Sequence, residues 1–392
     1  MKYPVIRLKP DRDIHLKNRH HAIYKNAIES LEGVETGSIV EVRSSDSKFL
    51  CYATINIKAY IAGRVISFEE SDPIEHLARA MKRSYELRQT FFQGDDTTAY
   101  RVINAEGDSI PGLIVDRYGD VLVLQCTTLG MDRLKNWIVD QLQTITGGLS
   151  IFEKSTGAAR KSEGLEPRSG WVKGSGPTVV TFKEHGLLYS VDLADSQKTG
   201  FFLDQREMRS LVRSLAPGRT VLDLCSYVGG FSISALAGGA TSADAVDYDE
   251  KALERAKENL KLNNLEPSQL QTFSADVFDF LRKKPLPHSY DLIIVDPPAF
   301  AKRSSDVDQA KGAYTDLNRM AFQALTSGGL LLTCSCSYQI DSALFQTIVF
   351  HAARQANRNV RILSRHRQAF DHPINLYHPE VDYLKSLLLW VE

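Results

Sequence analysis

Cys336 follows directly on an apolar run, Gly329 to Cys334, with a serine on either side of it. In doubly wound sheets the ligand lies just beyond the carboxyl ends of the strands, so a thiol at this place is a candidate nucleophile. Alternation along a strand puts Cys334 and Cys336 on one side, with Cys336 nearer the carboxyl edge. A thiolate there could add to an electron-poor carbon of a bound ligand. A free thiol titrates at about 8.5, so activity at neutral pH calls for a lowered value or a paired base. Asp296, at the end of the run Asp291 to Val295, is a candidate acid at the same edge. Cys51, Cys126, Cys225 and Cys334 are expected as small buried hydrophobes.

Upstream, the run Thr220 to Leu222 leads into Asp223-Leu224-Cys225-Ser226-Tyr227-Val228-Gly229-Gly230-Phe231. The paired glycines let the backbone approach a ligand before a helix opens. Asp247 ends the next run, at a distance that suits a carboxylate accepting from ribose hydroxyls. A turn and an acid alone describe a nicotinamide dehydrogenase equally well, or a packing turn followed by a helix cap. Two further strand ends decide between them, Ser274-Ala275-Asp276-Val277-Phe278 and Asp296-Pro297-Pro298-Ala299-Phe300. Asp-Pro-Pro followed by an aromatic resembles the fourth motif of S-adenosylmethionine-dependent methyltransferases acting on nucleic-acid bases. For such a base, carbon 5 of a pyrimidine is too weak a nucleophile to attack a methylsulfonium, and a Cys336 thiolate adding at carbon 6 would create the enamine that does attack, with Asp296 as a proton source at nitrogen 3 of cytosine. The base that removes the ring proton is not identifiable from the residues. Pro297 and Pro298 stiffen the loop, so Asp296 and Phe300 can be held against a flat base without further ordering. Lys302 and Arg303 suit phosphate contacts.

The elements that must position these groups follow from the patterning. Runs of four to six apolar residues alternating with helical stretches from Gly218 onward predict a parallel sheet covered on both faces. Residues 1–70 alternate as short strands, at Val5 to Leu8, Ser38 to Val42, Phe49 to Ala53 and Tyr60 to Ile66, and predict a small β-rich domain. Asp72-Pro73 marks a break, and residues 71–180 read as an α+β middle domain with helices near Ile74 to Phe92 and Met131 to Gln143. Thr156 to Gly176, rich in Gly, Ser, Lys and Arg, reads as a linker or a substrate-facing loop. The catalytic domain then occupies 181–392.

A chain of 392 residues with 43% apolar and 24% charged content has material for two or three cores, which excludes disorder and fibres. No window reaches the ~18 apolar residues of a membrane span, the N-terminus is charged, and a cytoplasmic location is expected. Cysteines are few and form no CxxC pair, so neither a disulfide framework nor a metal is expected. The net charge of −1 hides two basic clusters, one from Lys2 to Lys25 and one from Arg354 to Arg367, each fitting either RNA contact or a solvated face.

Longer stretches carry a resemblance over essentially the whole chain. Ser109 to Gly119 (SIPGLIVDRYG), Lys198 to Arg206 (KTGFFLDQR), the Cys225 to Phe231 turn, Asp296-Pro297-Pro298, Ser335-Cys336-Ser337 and Arg367 to Pro373 (RQAFDHP) resemble, in order, the bacterial large-subunit (23S) ribosomal RNA cytosine-5 methyltransferase I family. The resemblance implies an α/β fold class: a small β-rich PUA domain, an α+β middle domain and a Rossmann-like class I methyltransferase domain that uses S-adenosyl-L-methionine. It implies cofactor contacts from Phe202, Gln205, Arg206, Ser226, Tyr227, Gly229, Gly230 and Asp296, from Asp247 to the ribose and from Asp276 to the adenine. It also implies Cys336 as nucleophile and ribosomal RNA, or its precursor, as partner. Another cytosine methyltransferase branch carries a second cysteine where this chain has Ala299, so thiolate release must work without it. The family tends to show His-Pro-Trp where His20-His21-Ala22 stand here, and Arg19 and Lys25 beside them remain the expected RNA contacts. Two rivals stay open: a guanine or adenine nitrogen methyltransferase in which Cys336 is dispensable, and an RNA-binding or assembly protein without turnover. Monomer and homodimer are both compatible with the sequence.

Overall fold

The computed structural model describes residues 3–392, which leaves Lys2 of the first basic cluster outside the described residues. The chain forms two compact units, one running to Lys183 with Val191–Leu203 and Phe370–Val381, the other made of Glu184–Ser190, Asp204–Ala369 and Asp382–Glu392.

The first unit opens with β1 (Val5–Arg7), α1 (Ile14–Lys17), β2 (Ala22–Tyr24), β3 (Ile39–Arg43), β4 (Phe49–Ile55) and β5 (Ile61–Ser67), in sheet order β1-β3-β4-β5-β2. Alternation turns Val40 and Val42 inward against Ile6, Cys51, Ala53 and Val65, all essentially inaccessible. The strand β2 has three residues and no alternation long enough to be seen beforehand.

A second core of the same unit is built from α2 (Pro73–Phe91), β6 (Ala99–Asn104), β7 (Leu113–Tyr118), β8 (Val121–Cys126), α3 (Leu129–Thr146), β9 (Ser150–Ser155), α4 (Ala158–Ser162) and β10 (Arg168–Lys173). Asp72-Pro73 is the start of α2: the Asp72 carboxylate accepts from the Ile74 and Glu75 amides at 2.8 and 3.4 Å, and proline occupies the first turn. The sheet runs β10-β9-β8-β7-β6, with β8 and β9 parallel across α3. Thr156–Gly176 is therefore no linker. Arg160, 1% exposed, ion-pairs with Asp132 at 2.8 Å and donates to the carbonyls of Cys126 and Glu166, and β10 pairs with β9. Gly, Ser and basic residues in that segment masked these long-range partners.

Phe370–Val381 packs into this unit by polar contacts. Arg88, fully buried, forks onto Asp108 at 2.7 Å through both terminal nitrogens and donates to the Asp371 carbonyl at 2.8 Å, while the Asp371 carboxylate takes the Arg101 amide at 2.8 Å. The hairpin of β11 (Val179–Glu184) and β12 (Leu187–Asp192) turns at His185-Gly186, both at positive φ, the conformation two-residue hairpins favour.

In the second unit α5 (Arg206–Leu215), β13 (Thr220–Leu224), α6 (Gly230–Ala237), β14 (Ser242–Asp247), α7 (Glu250–Leu262), β15 (Leu270–Ser274), α8 (Val277–Arg282), β16 (Tyr290–Val295), α9 (Val307–Ala324), β17 (Leu325–Ser335), α10 (Ser342–Ala356), β18 (Val360–His366) and β19 (Lys385–Val391) follow in order. Their seven-stranded sheet runs β15-β14-β13-β16-β17-β19-β18, parallel except for β19, which pairs antiparallel with both neighbours. Strand order reverses beside β13, the place where such sheets bind ligands. The basic cluster from Arg354 divides here. Arg358 donates to the carbonyls of Phe322, Leu325 and Thr326, whereas Arg361 and Arg365 point outward from the edge strand β18. No helix among the described residues is long and apolar enough to cross a membrane.

Candidate active site

The turn after β13 is folded by its own backbone. The Cys225 and Ser226 amides donate to the Val246 carbonyl at 2.9 and 3.1 Å, and φ is positive at Cys225, Tyr227 and Gly229. Non-glycine residues in this region are uncommon and mark a turn over-determined by its surroundings. Gly229 starts α6 at φ +76°, and a Cβ there would stand 2.8 Å from the Cβ of Ala256. Asp247 holds the turn open, accepting from the Tyr227 amide at 2.8 Å and the Asp249 amide at 3.0 Å. Burial raises its pKa against the lowering effect of those bonds. Helix capping falls to Asp249, which accepts from the Lys251 and Ala252 amides.

Asp223, wholly buried, takes both the amide and the hydroxyl of Ser232 on one oxygen, at 3.0 and 2.7 Å, and burial raises it to about 6. Its second oxygen, the Ser226 hydroxyl and the Gln205 side-chain carbonyl are buried without a protein partner. Unsatisfied buried polar atoms around a helix N-terminus and a glycine that admits no Cβ fit a polar, partly apolar ligand such as S-adenosylmethionine.

At the end of β16, Gln205 donates to Asp296 at 2.9 Å. Pro297 is buried and Pro298 exposed, and Phe300 is half-buried against Tyr314, with ring centroids 4.7 Å apart. The segment after β17 is strapped to this loop. The Ala301 amide donates to the Ser337 hydroxyl at 3.2 Å, and Tyr314 bonds Ser335 and Ser337 at 3.0 and 2.9 Å. Cys336, half-exposed, lies with its sulfur 3.8 Å from the Pro297 carbonyl. Cys334 is wholly buried, and burial drives its thiol well above the usual range. The same holds for Cys225, where burial acts first and the charge of Asp247 second.

The structure thus gathers Gln205, the Ser226–Gly230 turn, Asp247, Asp296, Pro297, Pro298, Phe300 and Cys336 in the second unit, at or just beyond the carboxyl ends of its strands. Phe202, Arg19 and Lys25 belong to the first unit. There Lys198 lies 4.5 Å over the Phe202 ring, Arg19 is exposed and 5.8 Å over the Phe68 ring, and Lys25 is exposed. Arg206 has no exposed surface and pairs with Glu184 at 3.6 Å, beside Arg209 on the same carboxylate. Asp276 is exposed and caps α8 through the Phe278 and Asp279 amides at 2.8 and 3.2 Å. Lys302 and Arg303 are exposed, and the Arg303 amide donates to Asp306. Sequence reasoning missed the parts played by Asp223, Tyr314 and Lys385. A lone lysine opening the run Ser386 to Val391 was the one available signal for the last.

A parallel sheet that reverses beside β13, a glycine turn with buried unsatisfied polar atoms, and an Asp-Pro-Pro loop at the next strand end define an S-adenosylmethionine-dependent methyltransferase. Residues 162–375 match the family described as S-adenosylmethionine-dependent methyltransferase, and residues 6–68 match the PUA-like domain. Proteins named ribosomal RNA large subunit methyltransferase I are 36% identical in Shewanella denitrificans and 39% identical in Aeromonas salmonicida, each over 98% of both chains. The solved structure of SMU.776, assigned as a methyltransferase and complexed with SAH, superposes with a TM-score of 0.85 at 24% identity and full coverage of both chains. The chain belongs to the ribosomal RNA large subunit methyltransferase I family.

Proposed function

We propose that the protein methylates carbon 5 of a cytosine in large-subunit ribosomal RNA, with Cys336 as the nucleophile. The observation that carries this reading is the partly exposed Cys336 sulfur 3.8 Å from the Pro297 carbonyl, beside the Asp296 loop; Cys51, Cys126 and Cys334 are buried, while Cys225, expected to be buried, is also partly exposed and lies in the turn after β13, its thiol driven up by burial. The RNA substrate rests on the names of the relatives and on the PUA-like match. S-adenosylmethionine, when bound, would supply the electrophilic methyl group that carbon 5 takes, its sulfonium leaving as the neutral thioether of SAH. Ser226 and the glycine turn would hold its amino-acid portion, Asp247 its ribose and Asp276 its adenine.

Cys336 adds as a thiolate to carbon 6 of the flipped base, and the electron pair moves toward carbon 5 and nitrogen 3. Asp296, which accepts from Gln205, acts as the proton source at nitrogen 3 and so neutralises the charge developing there. Once carbon 5 carries the methyl group its proton passes to a general base, and the C–H electron pair reforms the 5,6 double bond as the thiolate is expelled. Pro297 and Pro298 fix the loop, Phe300 is held in place by Tyr314, and Lys302 and Arg303 neutralise phosphates. Residues 1–70 act as the RNA-binding domain through Arg19 and Lys25, residues 71–180 as the middle domain and 181–392 as the catalytic domain, in the cytoplasm.

The deciding experiment is nucleoside mass spectrometry of ribosomal RNA from cells lacking the protein, complemented with wild type or Cys336→Ala. Loss of one 5-methylcytidine, restored by wild type alone, supports the reading. A lost methylguanosine or methyladenosine, or full restoration by Cys336→Ala, gives the nitrogen-methylating alternative instead.

A further inference from the structure

Lys385 opens β19 opposite Ser335 of β17, one residue from Cys336, and is only 6% exposed. Its ammonium donates to the Ser337 carbonyl at 2.6 Å and to the Tyr383 carbonyl at 2.7 Å. Two of three N–H groups are thereby satisfied, and among the described residues no carboxylate forms an ion pair with it. Burying a cation in this way is unfavourable unless an anion compensates. Burial pushes the ammonium down to about 8, and three acidic side chains act against that: Cys336 first, then Asp382 and Asp341. Tyr314, whose hydroxyl burial pushes up to about 12, and the buried Cys334 also act on this thiol and supply no positive charge. Lys385 is a cation that acts on it from the neighbouring strand.

We propose that Lys385 is a positioning residue for Cys336, strapping the Ser335–Ser337 segment through the Ser337 carbonyl and holding the sulfur as a thiolate by its positive charge. The inference rests on Cys336 being the nucleophile. Lys385 keeps its proton throughout. The thiol proton leaves to solvent, the sulfur retains the electron pair that forms the bond to carbon 6, and the ammonium compensates the charge until that bond forms. A buried lysine is otherwise a poor choice for a strap that a neutral donor could supply.

The test is the pH dependence of Cys336 alkylation by iodoacetamide in the full chain, read by site-resolved mass spectrometry, in wild type, Lys385→Gln and Lys385→Arg. An opposite charge at close range lowers a pKa by about one unit or more. At pH 7, Cys336 of Lys385→Gln is therefore expected to react about tenfold more slowly than wild type, with an unchanged high-pH plateau, while Lys385→Arg stays near wild type. A midpoint in Lys385→Gln equal to wild type overturns the proposal, and so does a change confined to the plateau, which means a strap without an electrostatic role. If Lys385→Gln does not fold, the wild-type midpoint decides: at or above the free-thiol value of about 8.5 the inference fails. Methyl transfer by Cys336→Ala is measured in parallel. Retained turnover there removes the nucleophile reading, whereas the alkylation profile judges Lys385 independently.

Discussion

Replacing Gly229 by alanine puts two separate strains on the turn after β13. At φ +76° an L-residue suffers the left-handed clash, about 1–2 kcal/mol. The new methyl also meets the Cβ of Ala256 at 2.8 Å, closer than real Cβ atoms approach, and α7 offers no flexible end to yield. Overpacking of this sort costs about 1–3 kcal/mol. Together they predict a loss of roughly 2–5 kcal/mol, seen as a fall of about 5–20 °C in the thermal transition of the second unit. Because the turn also forms the helix N-terminus, SAH binding by titration calorimetry should weaken at least tenfold. Combining Gly229→Ala with Ala256→Gly removes the steric part and leaves the φ part, so the double variant should recover about half of the lost stability. A Gly229→Ala protein with unchanged melting and unchanged SAH affinity would refute the argument, and a double variant no better than the single would refute its steric half.

Other consequences follow from groups already placed. Arg88→Ala strands the buried Asp108 carboxylate and the Asp371 carbonyl, and urea unfolding should show a loss of about 3–5 kcal/mol in the first unit, with Arg88→Lys recovering little because it lacks the fork. Asp247→Ala leaves the Tyr227 and Asp249 amides without their acceptor, so SAH affinity should drop more than tenfold while far-ultraviolet circular dichroism is retained. His21 is buried, and burial, with His378, His20, Arg19 and His76 adding to it, holds its pKa down to about 3. The unfolded chain, titrating near the ordinary value of about 6.5, then binds the proton first. Stability must fall as pH drops below about 6.5, by about 2–3 kcal/mol at pH 4.5 relative to pH 7. His21→Phe should flatten that dependence in urea titrations at the two pH values, and an unchanged slope would mean that the acid sensitivity lies elsewhere.

The parts of the site that periodicity exposes are those where one strand meets its own loop. Gly229, Asp247, Asp296 and Cys336 each stand at or just after the end of an apolar run, and a parallel sheet brings such ends to one edge whatever the order of its strands. What the local pattern hides is pairing between distant segments. Thr156–Gly176 read as a loop because Arg160 finds Asp132 and Cys126 only once α3 and β8 are packed. Arg206, carried over by resemblance, turned inward because Glu184, reached through the β11–β12 hairpin, offers it a buried carboxylate. The second half of the nucleophile's setting has the same origin. Lys385 lies far along the chain from Cys336, and only the antiparallel insertion of β19 between β17 and β18 sets its ammonium on the Ser337 carbonyl. A strand that enters a parallel sheet backwards presents its first residue at the edge where its neighbours present their last. In this fold that reversal lets a residue near the C-terminus attend a cysteine at the carboxyl edge, and it accounts for a charged side chain in a strand whose remaining positions are almost entirely buried.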